Sequence, residues 1–392
     1  MRAVLVDRAD IAHQGPRFTE RLAAALDGSG PAILPLDATA PATQLDALMR
    51  TFSPDEIEDA GGVTTVRSAD RFETVPADTA VVVGTSGSTG KPKGVLLSAA
   101  ALRHSARASL ARIGARPGER WLCCLPVTHI AGLQVLVRSL VAGTEPAWAE
   151  RADAQSIAES AGTGVAHVSL VPTQLQRLGV DIAILNTFKS VLLGGAAANP
   201  GLLADAARAR VPVVTTYGMS ETCGGCVYDG VPLDGVRIDI RDEGVWIGGA
   251  VLFRGYWGGP ALPADGWFRT GDLGSVDGAG RLTVLGRADD LINTGGHKVI
   301  PAEVSAALAT CPGVRDVAVV GQSDPEWGER VVAVIVPADP ADPPTLNMLR
   351  MHVKERLPRY AAPSRVVLVD AVPMLPSGKQ DLARLRRDLS RS

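Results

Sequence analysis

A glycine- and hydroxyl-rich segment between Val83 and Gly94 is the strongest chemical signal in the sequence. Glycines let a backbone turn tightly and aim its N–H groups at an anion, while serine and threonine hydroxyls add further donors. A lysine within the segment adds positive charge. The segment therefore predicts a phosphate-binding loop, whose candidate ligands are Thr85, Ser86, Gly87, Ser88, Thr89, Gly90 and Lys91.

This segment differs from a Walker A loop. Five residues separate Gly84 from Gly90 where Walker A has four, and Pro92 stands where that motif places the Ser or Thr that binds Mg²⁺. A flexible linker is the alternative interpretation. A linker between domains would not directly follow the buried strand that Ala80–Val83 predicts.

The same segment resembles the signature loop of the adenylate-forming superfamily, which includes acyl- and aryl-CoA synthetases and adenylation domains. Four further motifs of that superfamily follow in the family's order, and five in one order are very specific. The five are Thr85–Gly94, Tyr217–Thr222, Thr270–Gly274, Gly286–Glu303 and Pro376–Asp381. Within the second motif, Ser220 replaces the family's threonine.

The resemblance implies an α/β fold with two domains. Residues 1–286 would form a large N-terminal ATP- and acyl-binding domain of layered α/β sheets plus a small β subdomain, and residues 287–392 a smaller, mobile α+β domain. It also implies an AMP-forming acid–thiol ligase that uses ATP, Mg²⁺ and coenzyme A. A carboxylate attacks the α-phosphate of ATP, which gives an acyl-adenylate and pyrophosphate, and the thiol of coenzyme A then displaces AMP.

The resemblance assigns polar residues of these motifs to ATP. Lys379 would hold the acyl carboxylate and the α-phosphate as negative charge builds, because preorganised positive charge is most effective in a dry site. A solvated surface lysine is the alternative. Glu221 would bind Mg²⁺, a hard cation that prefers carboxylate oxygen. Ser220 and Thr222 would hydrogen-bond the α-phosphate, and Tyr217 would stack on adenine.

The ribose and the backbone complete the implied nucleotide site. Asp272 would accept from both ribose hydroxyls, and Arg287 would be the second ribose contact. A turn-capping role is the alternative for Asp272, since Thr-Gly-Asp-Leu-Gly is a good turn sequence. Gly194 and Gly195 follow a strand and would let the acyl chain and the adenine approach the backbone closely.

The resemblance assigns three more residues to the thioester-forming step. His129 would close the acyl pocket and swing aside for the thiol, although a lone histidine is more often packed in a core. Asp289 would be the hinge about which the C-terminal domain rotates, which withdraws Lys379. Gly296 would then line the pantetheine tunnel, and a plain β-turn at Gly295-Gly296 is compatible with that role.

A narrower resemblance is to the o-succinylbenzoate–CoA ligases of menaquinone biosynthesis, most of all to their short actinobacterial form. It is carried by Leu125–Leu133, Val135–Arg138, Ser169–Leu175, Leu192–Ala196 and Thr216–Gly230. It implies that the succinyl carboxylate is activated while the benzoate carboxylate needs a partner. Arg138 and Ser169 are the candidates, since a guanidinium fork matches a carboxylate. An arginine on a helix surface is the alternative.

One departure is the short N-terminus. About 80 residues precede the phosphate loop, fewer than in most of the superfamily, so we expect an outer subdomain to be missing.

Other functions also stay open. Another acyl- or aryl-CoA synthetase would differ only in its pocket. An amino-acid adenylation domain would carry Phe-Asp where this chain has Thr128-His129, and Lys379, Glu221 and Asp272 argue against a non-catalytic nucleotide-binding protein.

The composition sets limits on partners and location. The 392 residues are 46% hydrophobic and 21% charged, with a net charge of −3, which favours a packed core and gives no basic excess for nucleic acid. No apolar run reaches the ~18 residues of a membrane span, and charges at Asp7, Arg8 and Asp10 interrupt any signal-peptide core. We expect a cytoplasmic protein with small-molecule substrates, and a homodimer stays open.

The five cysteines predict buried free thiols rather than a disulfide framework. Cys223 and Cys226 have CxxC spacing, but no second ligand pair for zinc follows them.

The elements that must position these residues alternate between strand and helix up to residue 216, which predicts α/β layers with mostly parallel strands. Short strands between Asp234 and Leu285, separated by glycine turns and proline, predict a small antiparallel sheet. Beyond Gly286–Asp290 the sequence predicts an α+β unit in the order strand, helix, strand, strand, helix, strand. These elements are Leu291–Asn293, Pro301–Thr310, Val314–Val320, Val331–Pro337, Thr345–Leu357 and Ser364–Val369.

Overall fold

The computed structural model describes residues 1–66, 75–86, 92–161, 163–375 and 379–390. Its α-helices are α1 (Ile11–Asp27), α2 (Ala42–Phe52), α3 (Ala99–Arg112), α4 (Ile130–Ala142), α5 (Ala154–Ala161), α6 (Pro172–Leu178), α7 (Pro200–Arg208), α8 (Pro301–Leu308), α9 (Leu346–Lys354) and α10 (Leu382–Leu389). Short 3₁₀ turns lie at Arg8–Asp10, Gly179–Thr187, Ser220–Thr222, Ala288–Asp290 and Arg359–Ala361. Among the described helices, none is both long and apolar enough to cross a membrane.

The strands of the first half of the chain are β1 (Arg2–Val6), β2 (Ile33–Asp37), β3 (Glu56–Asp59), β4 (Gly62–Thr65), β5 (Thr79–Ser86), β6 (Pro92–Ser98), β7 (Arg120–Cys123), β8 (Ala147–Trp148), β9 (Val165–Leu170) and β10 (Ser190–Leu193). Those of the second half are β11 (Val213–Met219), β12 (Gly224–Tyr228), β13 (Val231–Pro232), β14 (Val236–Arg241), β15 (Gly244–Gly249), β16 (Gly255–Tyr256), β17 (Trp267–Val276), β18 (Leu282–Arg287), β19 (Ile292–Thr294), β20 (His297–Val299), β21 (Val314–Asp324), β22 (Gly328–Pro337) and β23 (Arg365–Leu368).

The first sheet has the strand order β16-β6-β5-β2-β1-β3-β4. Strands β1, β2, β3 and β5 run parallel, while β5 and β6 form an antiparallel pair. The register of that pair sets Gly84 opposite Gly94 and Thr85 opposite Lys93. The glycine-rich segment therefore joins the two strands of a hairpin, whereas a Walker A loop joins a strand to a helix.

The second sheet has the strand order β13-β12-β11-β10-β9-β7-β8. Strands β8, β7, β9, β10 and β11 are parallel, as the sequence predicts. The carboxyl ends of parallel strands meet at one edge of a sheet, where open α/β folds bind their ligands. Helix α4 follows β7, packs against β7 and β9, and ends at Gly143, whose left-handed φ of +70° closes the helix.

A third sheet has the strand order β14-β15-β17-β18, at the place where the sequence predicts a small sheet. Strands β17 and β18 are antiparallel, with Asp272 opposite Arg287. The fourth sheet has the order β20-β19-β22-β21, with β23 parallel to β22.

The fourth sheet has a core on each face because its strand residues alternate. On one face, Val317, Val319 and Ile335 pack with residues of α8 and α9, such as Leu308 and Leu349. On the other face, a second buried cluster includes residues of α10; it comprises Ala318, Val320, Val332, Val334, Val336, Val372, Leu385 and Leu389. The predicted order of strands and helices is confirmed here, and β20 and α10 are additions that the sequence analysis missed.

Contacts along the chain group it into two compact units. The first comprises Met1–Gly195, Ala206–Ile238 and Ile247–Phe268, and the second comprises Ala196–Asp205, Asp239–Trp246 and Arg269–Ser392. Strand β18, which precedes the predicted boundary at 286, falls in the second unit. The boundary itself stays a prediction.

Candidate active site

The carboxyl ends of the parallel strands in the second sheet gather several predicted residues of the first unit. Ser169 is the penultimate residue of β9, and Gly194 follows β10, with its N–H donating to the carbonyl of Leu170 at 3.1 Å. Tyr217 lies on β11, the next strand in the sheet. The structure therefore brings the predicted acyl and adenine residues to one edge of a single sheet.

Both glycines after β10 are required by local geometry. A Cβ atom on Gly194 would overlap Oγ1 of Thr216 on the neighbouring strand β11. Gly195 has a φ of +86°, in the left-handed region that side chains rarely adopt. The backbone at Gly194 and Gly195 therefore carries no side chain, as a ligand that lies against it would require. The assignment of Gly194 to the acyl chain and of Gly195 to adenine stays a prediction.

Arg138 lies on α4 and is only 5% exposed, so the helix-surface alternative is wrong. Its Nη2 donates to Oγ of Ser169 at 2.9 Å. The guanidinium carbon lies 4.2 Å from the centroid of the Trp121 ring, a cation–π distance. The two residues predicted to bind the second carboxylate are thus in direct contact.

The Arg138 guanidinium has no carboxylate partner among the described residues. Burial lowers its pKa, and the nearby Tyr228 hydroxyl and Cys123 offset that effect only in part. Its Nε has no hydrogen-bond partner in the described part of the chain. A buried cation without an anion is costly, so this site is electrostatically prepared for an anionic ligand.

His129 lies exposed directly before α4, so the predicted alternative of a core histidine is wrong. Its backbone N–H donates to the carbonyl of Pro126 at 3.1 Å, and its carbonyl accepts from the N–H of Leu133 at 3.0 Å. The residue is therefore anchored by its main chain, and its gating role stays a prediction.

Glu221 lies on a single 3₁₀ turn, Ser220–Thr222, between β11 and β12. Oγ1 of Thr222 accepts from the N–H of Met219 at 2.9 Å and donates to the carbonyl of Gly224 at 2.7 Å. Because Thr222 is fully buried and its hydroxyl bonds to the backbone, its observed role is to fix the turn that carries Glu221 and Ser220.

The Glu221 side chain has a partner that the sequence analysis missed. Oε1 of Glu221 accepts from the hydroxyl of Tyr256 at 2.8 Å, and the carbonyl of Glu221 accepts from the N–H of Phe253 at 2.9 Å. Burial and then the Glu221 charge raise the pKa of Tyr256, which keeps the phenol a proton donor. Nζ of Lys93 lies 5.6 Å from the Tyr256 ring centroid.

The phosphate loop is described only at its base. Gly87, Ser88, Thr89, Gly90 and Lys91, together with the side chain of Ser86, lie outside the described residues. At the base, Oγ1 of Thr85 donates to the carbonyl of Lys93 at 3.3 Å. Gly94 has no room for a Cβ atom, which would meet the Phe52 ring at 2.6 Å and Cβ of Trp257 at 3.0 Å.

In the second unit, the two predicted ribose contacts form a cross-strand pair. Nη1 of Arg287 donates to Oδ1 of Asp272 at 3.0 Å, and Asp272 is only 7% exposed. The N–H of Asp272 donates to Oγ1 of Thr270 at 3.0 Å, and Gly271 has a φ of +77°. Thr270–Gly274 lies within strand β17 and not on a turn, so the turn-capping alternative for Asp272 is wrong, and the ribose assignment stays a prediction. Asp289 is exposed, with Oδ2 4.0 Å from Nη2 of Arg287.

The remaining predicted residues of the second unit are Gly296 and Lys379. Gly295 and Gly296 have φ values of +55° and +80° and join β19 to β20, so the predicted β-turn is confirmed. No heavy atom outside the chain neighbours lies within 4 Å of a Cβ built on Gly296. Lys379 is exposed, and its carbonyl accepts from the N–H of Leu375 at 2.7 Å, which closes the base of its loop. Residues 376–378 lie outside the described part.

A buried polar network near the amino ends of β9 and β10 was also missed. His167 contacts Oγ of Ser190 through Nδ1 at 2.8 Å and Oε2 of Glu119 through Nε2 at 3.0 Å. The order resembles a Ser–His–Glu triad, but Ser190 is 3% exposed and His167 is 1% exposed, so no substrate reaches them. Although burial opposes it, the Arg116 N–H, Lys189 and His167 together lower the pKa of Glu119 to about 2.

The cysteines are buried free thiols, as the sequence predicts. Burial raises the pKa of Cys124 and of Cys226 to about 12, which leaves both thiols protonated.

Comparison with known protein families and proteins identifies relatives of this chain. The AMP-binding enzyme family matches residues 12–257, and the AMP-binding enzyme C-terminal domain matches residues 303–379. A probable 2-succinylbenzoate–CoA ligase of Mycobacterium tuberculosis is 47% identical over 331 residues, which are 80% of this chain and 86% of that protein.

Solved structures of an o-succinylbenzoate CoA synthetase from Bacillus subtilis also align with this chain. In complex with the acyl-adenylate OSB-AMP, that enzyme has a TM-score of 0.82 at 27% identity over 100% of this chain and 88% of its own. In complex with ATP and a magnesium ion, it has a TM-score of 0.80 at 27% identity over 99% and 88%.

Proposed function

Because this chain belongs to the AMP-binding enzyme family, we propose that it is an o-succinylbenzoate–CoA ligase of menaquinone biosynthesis. The observation that carries the proposal is the buried Arg138–Ser169 pair, a cationic site without a carboxylate partner among the described residues. The relatives named above support the same acid.

The reaction has two steps. An oxygen of the succinyl carboxylate attacks the α-phosphorus of ATP, the bond from that phosphorus to the bridging oxygen breaks, and pyrophosphate leaves. The sulfur of coenzyme A then attacks the acyl carbon, loses its proton, and AMP leaves with the oxygen. Each step passes through an anionic transition state, so fixed positive charge and hydrogen-bond donors are what the protein must supply.

Arg138 and Ser169 would bind the benzoate carboxylate, which leaves the succinyl carboxylate as the nucleophile. The guanidinium is held by Trp121 and by the Ser169 hydroxyl, so little side-chain entropy is lost on binding. Gly194 would allow the acyl chain to lie against the backbone, and His129 would close the pocket.

The nucleotide residues other than Thr222 keep their predicted roles in this proposal. Glu221 fits Mg²⁺, since it offers a carboxylate on a rigid turn beside the base of the phosphate loop, and that ion would neutralise phosphate charge. Ser220 lies on the same turn and would donate to the α-phosphate, while Thr222 fixes the turn. Tyr217 and Gly195 would contact adenine.

Residues of the second unit complete the proposal. Asp272 and Arg287 would bind the ribose, and their mutual hydrogen bond prepares the carboxylate for its two hydroxyls. Lys379 would bind the acyl carboxylate and the α-phosphate during adenylation. Asp289 would be the hinge, and Gly296 would line the pantetheine tunnel. The domain division at 286/287, a cytoplasmic location and a homodimer stay predictions.

The test is release of pyrophosphate and AMP across a matched pair of acids. One is o-succinylbenzoate, and the other is 4-oxo-4-phenylbutanoate, which lacks only the benzoate carboxylate. We expect turnover with o-succinylbenzoate plus coenzyme A and a kcat/KM at least about 100-fold lower for the analogue, since a buried charge contact contributes about 3 kcal/mol. Equal turnover of both acids, or turnover only with benzoate or a fatty acid, would overturn the proposed substrate.

A further inference from the structure

The segment 253–256 forms two hydrogen bonds to Glu221, the candidate metal ligand. The N–H of Phe253 donates to the main-chain carbonyl of Glu221 at 2.9 Å, and three residues later the hydroxyl of Tyr256 donates to its Oε1 at 2.8 Å. Backbone and carboxylate of Glu221 are thus fixed by the same stretch of chain.

Tyr256 is itself held rigidly. Strand β16 pairs with β6, so that Tyr256 lies opposite Val95 and the N–H of Trp257 donates to the carbonyl of Gly94 at 2.7 Å. Gly255 has a φ of +141°, and a Cβ there would lie 2.7 Å from the carbonyl oxygen of Pro260. The bend at Gly255 therefore aims the next side chain.

Aromatic and cationic neighbours fix the Tyr256 ring. The Phe253 ring meets it edge to face at a centroid distance of 5.0 Å and an interplanar angle of 68°. On the Lys93 side, the ammonium lies 5.6 Å from the ring centroid. Since Lys93 is at the base of the phosphate loop, the same tyrosine links that loop to the turn that carries Glu221.

We propose that Tyr256 is a positioning residue for the divalent cation, which orients Glu221 so that its carboxylate meets the metal in one rotamer. A carboxylate with one oxygen held by a hydroxyl donor has its second oxygen left for the ion. Among the described residues, Oε2 of Glu221 makes no hydrogen bond. Groups that hold a metal ligand in this way typically change metal affinity 10- to 100-fold when removed. The inference rests on the proposed role of Glu221.

The experiment measures Mn²⁺ binding by water-proton relaxation, since Mn²⁺ takes the oxygen ligands that Mg²⁺ takes. The full chain is saturated with an ATP analogue that has a methylene group between the α- and β-phosphorus and cannot release pyrophosphate. Tyr256→Phe keeps the ring and removes the hydroxyl. We expect the Kd for Mn²⁺ to rise about tenfold, while the affinity for AMP, which needs no metal, stays at the wild-type value. Tyr360→Phe, which removes an exposed hydroxyl, is the matched control.

The Glu221→Gln variant distinguishes failure of the positioning role of Tyr256 from failure of Glu221 as the metal ligand. If Glu221→Gln weakens Mn²⁺ binding and Tyr256→Phe does not, the positioning role is overturned while the metal ligand stands. If neither variant changes Mn²⁺ affinity, the proposed ligand is itself wrong. The double variant guards against a folding defect in Tyr256→Phe. Removing the hydroxyl should cost little further Mn²⁺ affinity once Glu221 is glutamine, whereas a general loss of structure would add its full effect in both backgrounds.

Discussion

Substitution of Arg138 by methionine should weaken binding of the acid substrate without lowering the stability of the fold. Methionine has a similar length, packs on the Trp121 ring and removes the charge. Arg138 is 5% exposed and contacts Ser169 at 2.9 Å, so an ion pair with the substrate forms in surroundings that exclude water. Truncating one partner of such a pair costs 2–5 kcal/mol; we take about 3 kcal/mol, or about 150-fold in kcat/KM.

The effect on folding should be small or favourable. The free protein buries a guanidinium whose Nε has no partner among the described residues. Replacing buried charge by apolar volume is often neutral or stabilising by about 1–4 kcal/mol. We therefore expect Arg138→Met to unfold in urea at a midpoint equal to or above that of the wild type. Added o-succinylbenzoate should raise the wild-type midpoint and leave that of the variant unchanged.

The assay compares o-succinylbenzoate with 4-oxo-4-phenylbutanoate at saturating ATP. The wild type should prefer the former, and Arg138→Met should lose that preference while turning over the analogue normally. Arg107→Met, an exposed arginine on α3, controls for loss of charge. The binding role of Arg138 is excluded if the preference survives in Arg138→Met, or if the variant loses several kcal/mol of stability, since the guanidinium would then serve the fold.

Three other substitutions or conditions have definite outcomes. Lys379→Ala should slow pyrophosphate release by roughly 100-fold or more and spare thioester formation from preformed acyl-adenylate; normal release would exclude the assignment. Gly194→Ala should raise KM for the acid, and Thr216→Ala, which removes the overlapping Oγ1, should leave that increase in place; if Thr216→Ala restored KM, the overlap with Thr216 and not a blocked approach of the acid to the backbone would be the cause. Acid should destabilise the fold. Because the pKa of Glu119 is lowered to about 2, its ionised form contributes at most about 3 kcal/mol to the free energy of unfolding above pH ~4.5, and this contribution is lost toward pH 2. The pKa of His167 is also lowered, so protonation of this side chain causes a further loss of stability below pH ~6.5. Urea midpoints that fall with pH, less so in Glu119→Gln, would show this.

Much of the second unit could be predicted because its signals are local. Strand β21 alternates residues between two cores, and helix α8 starts at Pro301, the first position where proline favours a helix. Helix α10 was missed because arginine dominates it. Only Leu385 and Leu389 are buried in its sequence Leu-Ala-Arg-Leu-Arg-Arg-Asp-Leu. The Asp381 side chain, which accepts from the N–H of Arg384 at 2.8 Å, was the available signal for its start.

Site residues could be predicted from the sequence where they belong to a motif. They could not be predicted where only tertiary packing brings them together. Asp272 and Arg287 both belong to predicted motifs, and the register between β17 and β18 makes them neighbours. Tyr256 reaches Glu221 from a strand 35 residues away, and no spacing rule links the two. The Glu119–His167 contact likewise depends on which strands are adjacent.

The burial of Arg138 could not be decided from its helix alone. Helix α4 is mostly apolar, but Gln134 and Arg138 are four residues apart and share one face, as they would on an exposed stripe. The structure buries both residues, to 3% and 5% exposure, because α4 packs between other elements of the first unit.

The contrast with another buried charge shows why Arg138 points to function. Glu58 is 2% exposed, and the fold surrounds it with the guanidinium groups of Arg2, Arg17 and Arg21 at 2.8–3.1 Å. Where a buried charge serves this fold, the chain supplies its counter-ions. At Arg138 the described chain supplies the hydroxyls of Ser169 and Tyr228 and the aromatic face of Trp121 instead. Local rules of stability are broken mainly at functional sites, and the missing anion is the one that the second carboxylate of the substrate would bring.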